Sequence, residues 1–345
     1  GMMREGTWKN DIRNQIMEIQ QMQPELTPYT GPEITAPSAI LMEASTGTVI
    51  CEKNADEPRN PASVTKIMTL ILIFDALQSG KIRLTDEVVT SAHAKSMGGS
   101  QVFLEEGEIQ TVETLIKCIV IASGNDASVA MAEFIGGDEG TFVKMMNDKA
   151  KELGCVNTHF VNPHGLHNKK HYTCAHDMAL IAQAAFQIPL FRKITKTVEY
   201  KIPKTKYMKE DRWLVNHQKM LYEDGEFTYK DCEGGKTGFT ADAGYCYVGS
   251  LRRDDRTFIV ALLACGWPDN KGYKWKDTRR LMEYGLEHYH YREVYRNTVP
   301  DKLLVVDAFD PEIPYQTSEK ISLRVKNSEE SKKILLRKEE EIRME

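Results

Sequence analysis

The 345-residue chain has little excess charge, no long apolar run and no organised cysteine pattern, and each absence removes a class of protein. Its 45 Lys and Arg against 50 Asp and Glu leave a net charge of −5, so no nucleic-acid partner is suggested. No run reaches the roughly 18 apolar residues of a membrane-spanning helix. The longest candidate, Ile67 to Leu77, is interrupted by Thr69 and Asp75 and reads as a core helix. Seven cysteines (Cys51, Cys118, Cys155, Cys174, Cys232, Cys246 and Cys265) form an odd set without C-x-x-C spacing. That argues against a disulfide-stapled scaffold and a structural zinc site, and leans towards a reducing environment or an anaerobic organism. His159, His164, His167, His171 and His176 crowd one stretch beside Cys174 and Asp177, but no H-E-x-x-H helix is present. In a polar loop they read as surface or capping histidines, so no metal and no cofactor is expected.

What is present begins with size. A chain of this length with 41% hydrophobic residues can bury a large core, and one big domain with a small companion is the natural division. Residues 1–35 are polar, with Pro24, Pro28, Gly31 and Pro32 near their end, and read as an N-terminal arm. From Ser38, two strand-like runs flank a Ser-Thr-Gly turn, which predicts a β-hairpin. Ser63 is expected to open an apolar helix ending near Gly80. Helical patterning recurs over Thr111–Ile121, Asp126–Phe134, Phe142–Leu153 and Met178–Phe186, and lastly over Asp277–His290. Strand patterns return at Tyr245–Leu251 and Thr257–Ala264. Strands early and late with helices between predict an α+β fold, its sheet assembled from both ends of the domain. Beyond Thr298, residues 303–306 and 321–325 suggest strands of a small β module.

Three triplets carry chemistry. Ser63-Val64-Thr65-Lys66 sets a hydroxyl and an amine three residues apart on a helix, where their side chains meet. Serine becomes a nucleophile when a base takes its proton, and lysine serves as that base if burial and nearby positive charge lower its pKa. Lys236 would supply the charge. Ser123-Gly124-Asn125 falls between two helices. Ser123 is suited to relay a proton from Lys66, and Asn125 offers a donor and an acceptor to a substrate amide. Lys236-Thr237-Gly238 precedes the strand near Tyr245 and is itself expected on an edge strand; its first two residues can bind a carboxylate, and Gly235 and Gly238 permit close approach of a ligand backbone. An oxyanion hole needs two backbone N–H groups, and Ser63 and Phe239 are placed to give them. Each triplet alone has a plain alternative: a helix N-cap, a turn with an Asn cap, a solvent-facing hairpin edge.

Taken together and in order, these blocks resemble the serine D-alanyl-D-alanine carboxypeptidases, low-molecular-mass penicillin-binding proteins. The likeness runs from about Ser38 to His290. It includes Pro61-Ala62-Ser63-Val64-Thr65-Lys66, Ile121-Ala122-Ser123-Gly124-Asn125-Asp126-Ala127, Phe160-Val161-Asn162-Pro163-His164-Gly165-Leu166 and Gly235-Lys236-Thr237-Gly238-Phe239-Thr240. The resemblance implies a penicillin-recognising, β-lactamase-like fold, an antiparallel sheet flanked by helices with a helical subdomain. It implies a catalytic domain over 36–296 and a short, truncated-looking β-rich module over 297–345. The implied reaction removes the terminal D-alanine of peptidoglycan stem peptides through acyl-Ser63, with β-lactams as covalent inhibitors. Lys66 would be the base, Ser123 the relay and Asn125 a substrate contact, with Lys236, Thr237 and Gly238 at the terminal carboxylate.

Phe239 departs from relatives that carry histidine there, and Tyr172-Thr173-Cys174-Ala175-His176-Asp177 departs from the usual local pattern. A β-lactamase would need an E-x-x-L-N pattern to activate the deacylating water, and none is found. A non-catalytic peptide binder of the same fold would be favoured by loss of Ser63 or Lys66; both are present. The substrate implies export, with a signal peptide ahead of the scar-like Gly1-Met2-Met3. It also leaves room for peripheral membrane attachment through a segment beyond this chain.

Overall fold

The computed structural model describes residues 29–295 and 332–337, and every element below lies in the compact unit Gly31–Glu345. The predicted hairpin is formed by β1 (Ser38–Glu43) and β2 (Val49–Lys53), paired antiparallel. Its turn is tied by the Glu43 carboxylate, which accepts from the backbone N–H and hydroxyl of both Ser45 and Thr46. A helical block follows: α1 (Lys66–Gln78), the single-turn α2 (Ala92–Lys95), α3 (Val112–Ala122), α4 (Asn125–Gly136) and α5 (Glu139–Glu152). Short strands β3 (Glu87–Val89) and β4 (Ile109–Thr111) pair within it. After α6 (Ala175–Phe186) and α7 (Pro189–Thr195) comes the ribbon of β5 (Glu199–Ile202) and β6 (Arg212–Val215). The chain then returns to the sheet as β7 (Cys232–Thr240), β8 (Gly244–Arg253) and β9 (Arg256–Leu263). It closes with α8 (Tyr273–His288) and β10 (Tyr289–Tyr295), the latter paired antiparallel with β11 (Lys332–Arg337).

The sheet order is β2-β1-β9-β8-β7, antiparallel throughout. The first and last parts of the domain therefore meet at β1 and β9. Strand alternation sends side chains to two layers. Ile40, Met42, Ile259 and Ala261 join the main core, while Leu41 and Phe258 approach Gly285 of α8 on the other face. Helix α1 is buried continuously from Lys66 to Phe74, which explains its lack of a polar face. Among the described residues, no helix is long and apolar enough to cross a membrane. Six of the seven cysteines are buried, and burial pushes groups such as Cys246 up to about 11.

Several boundaries differ from the sequence reading, and two of them bear on the site. Ser63 does not begin the α-helix: it sits in a 3-10 turn, Ala62–Thr65, and α1 starts at Lys66. The final helix starts at Tyr273 rather than Asp277, because its lysine-rich first turn hides the buried Trp275. The arm through residue 28, and the strands expected at 303–306 and 321–325, lie outside the described residues.

Candidate active site

Ser63 is held by close backbone packing from two sides. Pro61 leads into the 3-10 turn, and Ala62 adopts a φ of 50°, a left-handed conformation that costs an L-residue about 1 kcal/mol. Two glycines explain what holds it there. A Cβ on Gly165 would lie 1.9 Å from the Ala62 oxygen, and one on Gly238 would lie 2.6 Å from the Ser63 nitrogen. The turn is thus clasped between the histidine-rich loop and the free edge of β7. Gly165 itself has φ 98°, which favours glycine independently.

Lys66, one residue into α1, is fully buried. Its Nζ stands 2.9 Å from Ser63 Oγ, 3.1 Å from Ser123 Oγ, 2.8 Å from Asn125 Oδ1 and 2.9 Å from the His164 carbonyl oxygen. Each neighbour is fixed by its own element. Ser123 caps α3 in the left-handed region, φ 55° and ψ 37°, at the break before α4. Asn125 opens α4 and donates through Nδ2 to the Gly98 carbonyl at 2.8 Å. The Asn162 side chain accepts from the backbone of His164 and Gly165 at 3.2 and 2.7 Å, shaping the turn that presents the His164 carbonyl. Burial first, then the charge of Lys236, holds the Lys66 amine well below its usual value, against an opposing pull from Asp126.

Lys236, Thr237 and Gly238 lie within β7, the edge strand of the sheet, in agreement with the edge-strand expectation. Lys236 Nζ donates to the Thr237 carbonyl at 2.8 Å, and burial lowers this lysine to about 7. Above the turn opens a cleft of about 320 Å³, lined in part by Ser63, Ser123, Thr237, Gly238 and Phe239. The structure therefore gathers the three triplets at one site. Asn125 stands against Lys66 and Gly98, so part of its hydrogen-bonding capacity is committed to holding the protein together.

The cleft also contains residues that sequence reasoning missed: Ser100, His217, Lys219, Tyr245, Lys274 and Trp275 line it. Among the histidines, His164 and His171 are not surface groups; they are buried. His171 Nε2 lies 2.8 Å from Thr65 Oγ1, and its Nδ1 accepts from the Val161 N–H at 3.0 Å. Together with the Thr69 hydroxyl donating to the Pro163 carbonyl at 2.6 Å, these contacts seat the histidine loop on the start of α1. Among the described residues no group of three or more His, Cys, Asp or Glu side chains could hold a metal.

Comparison with known proteins gives consistent matches. Residues 24–265 match the family model described as D-alanyl-D-alanine carboxypeptidase. The chain is 42% identical over 300 residues to D-alanyl-D-alanine carboxypeptidase DacF of Bacillus subtilis (strain 168), covering 86% of this chain and 74% of that one. It is 36% identical over 266 residues to D-alanyl-D-alanine carboxypeptidase DacA of Escherichia coli (strain K12), covering 75% of this chain but only 62% of the relative. Penicillin binding protein 5 from Haemophilus influenzae superposes with a TM-score of 0.73 at 28% identity, covering 90% of this chain and 84% of that one.

Proposed function

Because this chain belongs to the D-alanyl-D-alanine carboxypeptidase family of low-molecular-mass penicillin-binding serine hydrolases, we propose that it removes the terminal D-alanine of peptidoglycan stem pentapeptides through an acyl-Ser63 intermediate. The observation that carries the reading is the set of partners around Lys66. A neutral amine has two N–H bonds and one lone pair. The Asn125 Oδ1 and His164 carbonyl oxygens only accept, so they take the two N–H bonds. The lone pair then faces the two hydroxyls, Ser63 and Ser123, as a base requires.

In this mechanism Ser63 Oγ adds to the scissile carbonyl while its proton passes to Lys66. Backbone N–H groups of Ser63 and Phe239 stabilise the oxyanion. The C–N bond breaks and the departing D-alanine amine receives the proton by way of Ser123. Water then adds to the ester, the C–Oγ bond breaks, and Ser63 recovers its proton. Lys236 and Thr237 hold the terminal carboxylate, Gly238 lets the substrate backbone approach β7, and Asn125 contacts the substrate amide through its remaining capacity. β-Lactams acylate Ser63 in the same way, with a tethered leaving group. The substrate implies that the chain acts outside the cytoplasmic membrane after export, with any peripheral membrane attachment supplied from outside the described residues.

Intact-mass measurement with penicillin, run beside Ser63→Ala, tests the reading. The expected result is one lasting penicillin adduct on the unaltered protein only, with one D-alanine released per stem peptide. Fast drug hydrolysis without an adduct would replace it with a β-lactamase.

A further inference from the structure

Two walls of the cleft lead outward to an exposed aromatic side chain. Ser100 lines the cleft, and three residues further on Phe103 is 61% exposed. On the second wall Trp213, Val215 and His217 are exposed while Leu214, Asn216 and Gln218 are buried, so the first three share one face. His217 lines the cleft, and Trp213, 65% exposed, ends the row. Scattered exposed rings need no explanation, but buried charge holds these two in place. The Arg212 guanidinium, next to Trp213 in the chain, donates to the Val102 and Phe103 carbonyls at 3.2 and 3.3 Å and pairs with the fully buried Glu108. The Asp126 carboxylate accepts from the Val102 and Leu104 N–H groups at 3.1 and 3.0 Å. Gripped this way, Phe103 keeps a φ of 59°, which few residues other than glycine adopt. A buried ion pair and a buried carboxylate thus fix an exposed phenylalanine beside an exposed tryptophan, and backbone strain of this kind gathers at ligand contacts.

Distance decides which part of a ligand the rings meet. Ser100 to Phe103 is three residues and His217 to Trp213 is four, about 10–13 Å of extended chain. The departing D-alanine is a single residue that ends at Lys236 and Thr237, too short to reach so far. The stem side is long enough. Four residues, about 13–14 Å when extended, separate the scissile bond from the N-terminal end that peptidoglycan joins to its glycan. The Ser100 wall lies on that side: Asn125, the contact for the substrate amide, donates to the Gly98 and Ser100 carbonyls at 2.8 and 2.7 Å. A pyranose presents flat faces of C–H groups rimmed by hydroxyls. Exposed aromatic rings suit the faces. Lys201, its Nζ 5.6 Å from the Trp213 ring centroid, and Asp211, 3.8 Å from that Nζ, suit the hydroxyls.

We propose that Phe103 and Trp213 form a subsite for the glycan of peptidoglycan, so that the enzyme favours a stem peptide still carrying its sugars. This rests on the carboxypeptidase reading above. The bond broken is the same, and only the far end of the substrate differs.

The test compares one stem pentapeptide in two forms, free and attached to its disaccharide. The disaccharide form should exceed the free peptide in kcat/KM by about tenfold. The double variant Phe103→Ala/Trp213→Ala alters two exposed side chains and should bring that ratio close to one, each single variant falling between. Parity in the unaltered enzyme, or a preference that survives in the double variant, overturns the proposal. So does parity accompanied by vesicle binding or self-association that the double variant loses, which would give the rings to a membrane or to a second copy. If neither form is turned over, the carboxypeptidase reading fails separately. The dissociation constants of both forms for Ser63→Ala then decide the inference: tenfold tighter binding of the disaccharide form supports it, and equal binding ends it.

Discussion

Lys66 and Lys236 are both buried amines, yet the proposed chemistry asks opposite things of them. Lys66 must be neutral to take the Ser63 proton, and Lys236 must be charged to hold a carboxylate. Activity should therefore rise with pH as Lys66 loses its proton, and fall again as Lys236, lowered to about 7, loses its own. The second-order rate constant for acylation by a β-lactam, which reports the free enzyme, should be bell-shaped with its alkaline limb near that value. Arginine stays charged throughout this range, so Lys236→Arg should lower the maximum but carry the alkaline limb out of the measurable window. An unmoved limb would assign it to another group. At this scale much of the site was legible in the sequence. Ser63, Lys66, Ser123 and Lys236 announce themselves because their chemistry demands particular side chains at fixed local spacing. The His164 carbonyl does not, since any residue supplies a carbonyl. Lys274 was also hidden: it reaches the cleft from α8, far along the chain from every triplet, by tertiary packing alone.

Between elements, the decisive contact is that of β7 with the 3-10 turn bearing Ser63. The edge strand was readable from its glycines and from the hairpin partners that follow it. The turn was not. A serine ahead of a long apolar run looks like a helix start, and only the far-off Gly165 and Gly238 reveal that the backbone is clasped there. Gly238→Ala tests the clasp. Its new Cβ would meet the Ser63 nitrogen at 2.6 Å and the Ala62 Cβ and Val64 nitrogen at 3.1 Å, neighbours that have little freedom to move aside. Overpacking of this kind costs about 1–3 kcal/mol, and a displacement near 1 Å at a reacting group can cost about a hundredfold in rate. We expect acylation to fall by about that factor, with a lower urea midpoint. Gly80, with φ 77° and open space around its Cβ position, is the control: Gly80→Ala should lose only about 1 kcal/mol of stability to backbone strain and acylate normally. Normal acylation by Gly238→Ala would mean that β7 is not pressed against the nucleophile.

Across the whole molecule, the loop from Asn157 to Tyr172 joins the helical block to the site, and its two buried histidines make that junction sensitive to acid. Burial lowers His164 to about 3 and His171 to about 4, below the ordinary value near 6.5. The sign follows from linkage: between the folded and unfolded values, the unfolded chain binds a proton that the folded chain refuses. Stability contributed this way is complete above about pH 6.5 and is lost as pH falls towards the folded values. Lys66 and Lys236, also lowered by burial, add the same sign at higher pH, so the stability curve of the intact protein should climb through neutrality. Asp126, raised by burial, contributes with the opposite sign. These overlapping contributions cancel when a variant is compared with its parent. His171→Gln should be less stable than the parent at pH 7, through its lost contacts with Thr65 and Val161. Between pH 7 and 5.5, however, the parent alone pays about 1 kcal/mol for keeping His171 neutral, so the gap between the two urea-unfolding free energies should narrow by that amount. A constant gap would mean that His171 titrates alike in the folded and unfolded chains. The loop would then not be sealed against α1, and the buried shell around Lys66 would lose the support that its lowered pKa depends on.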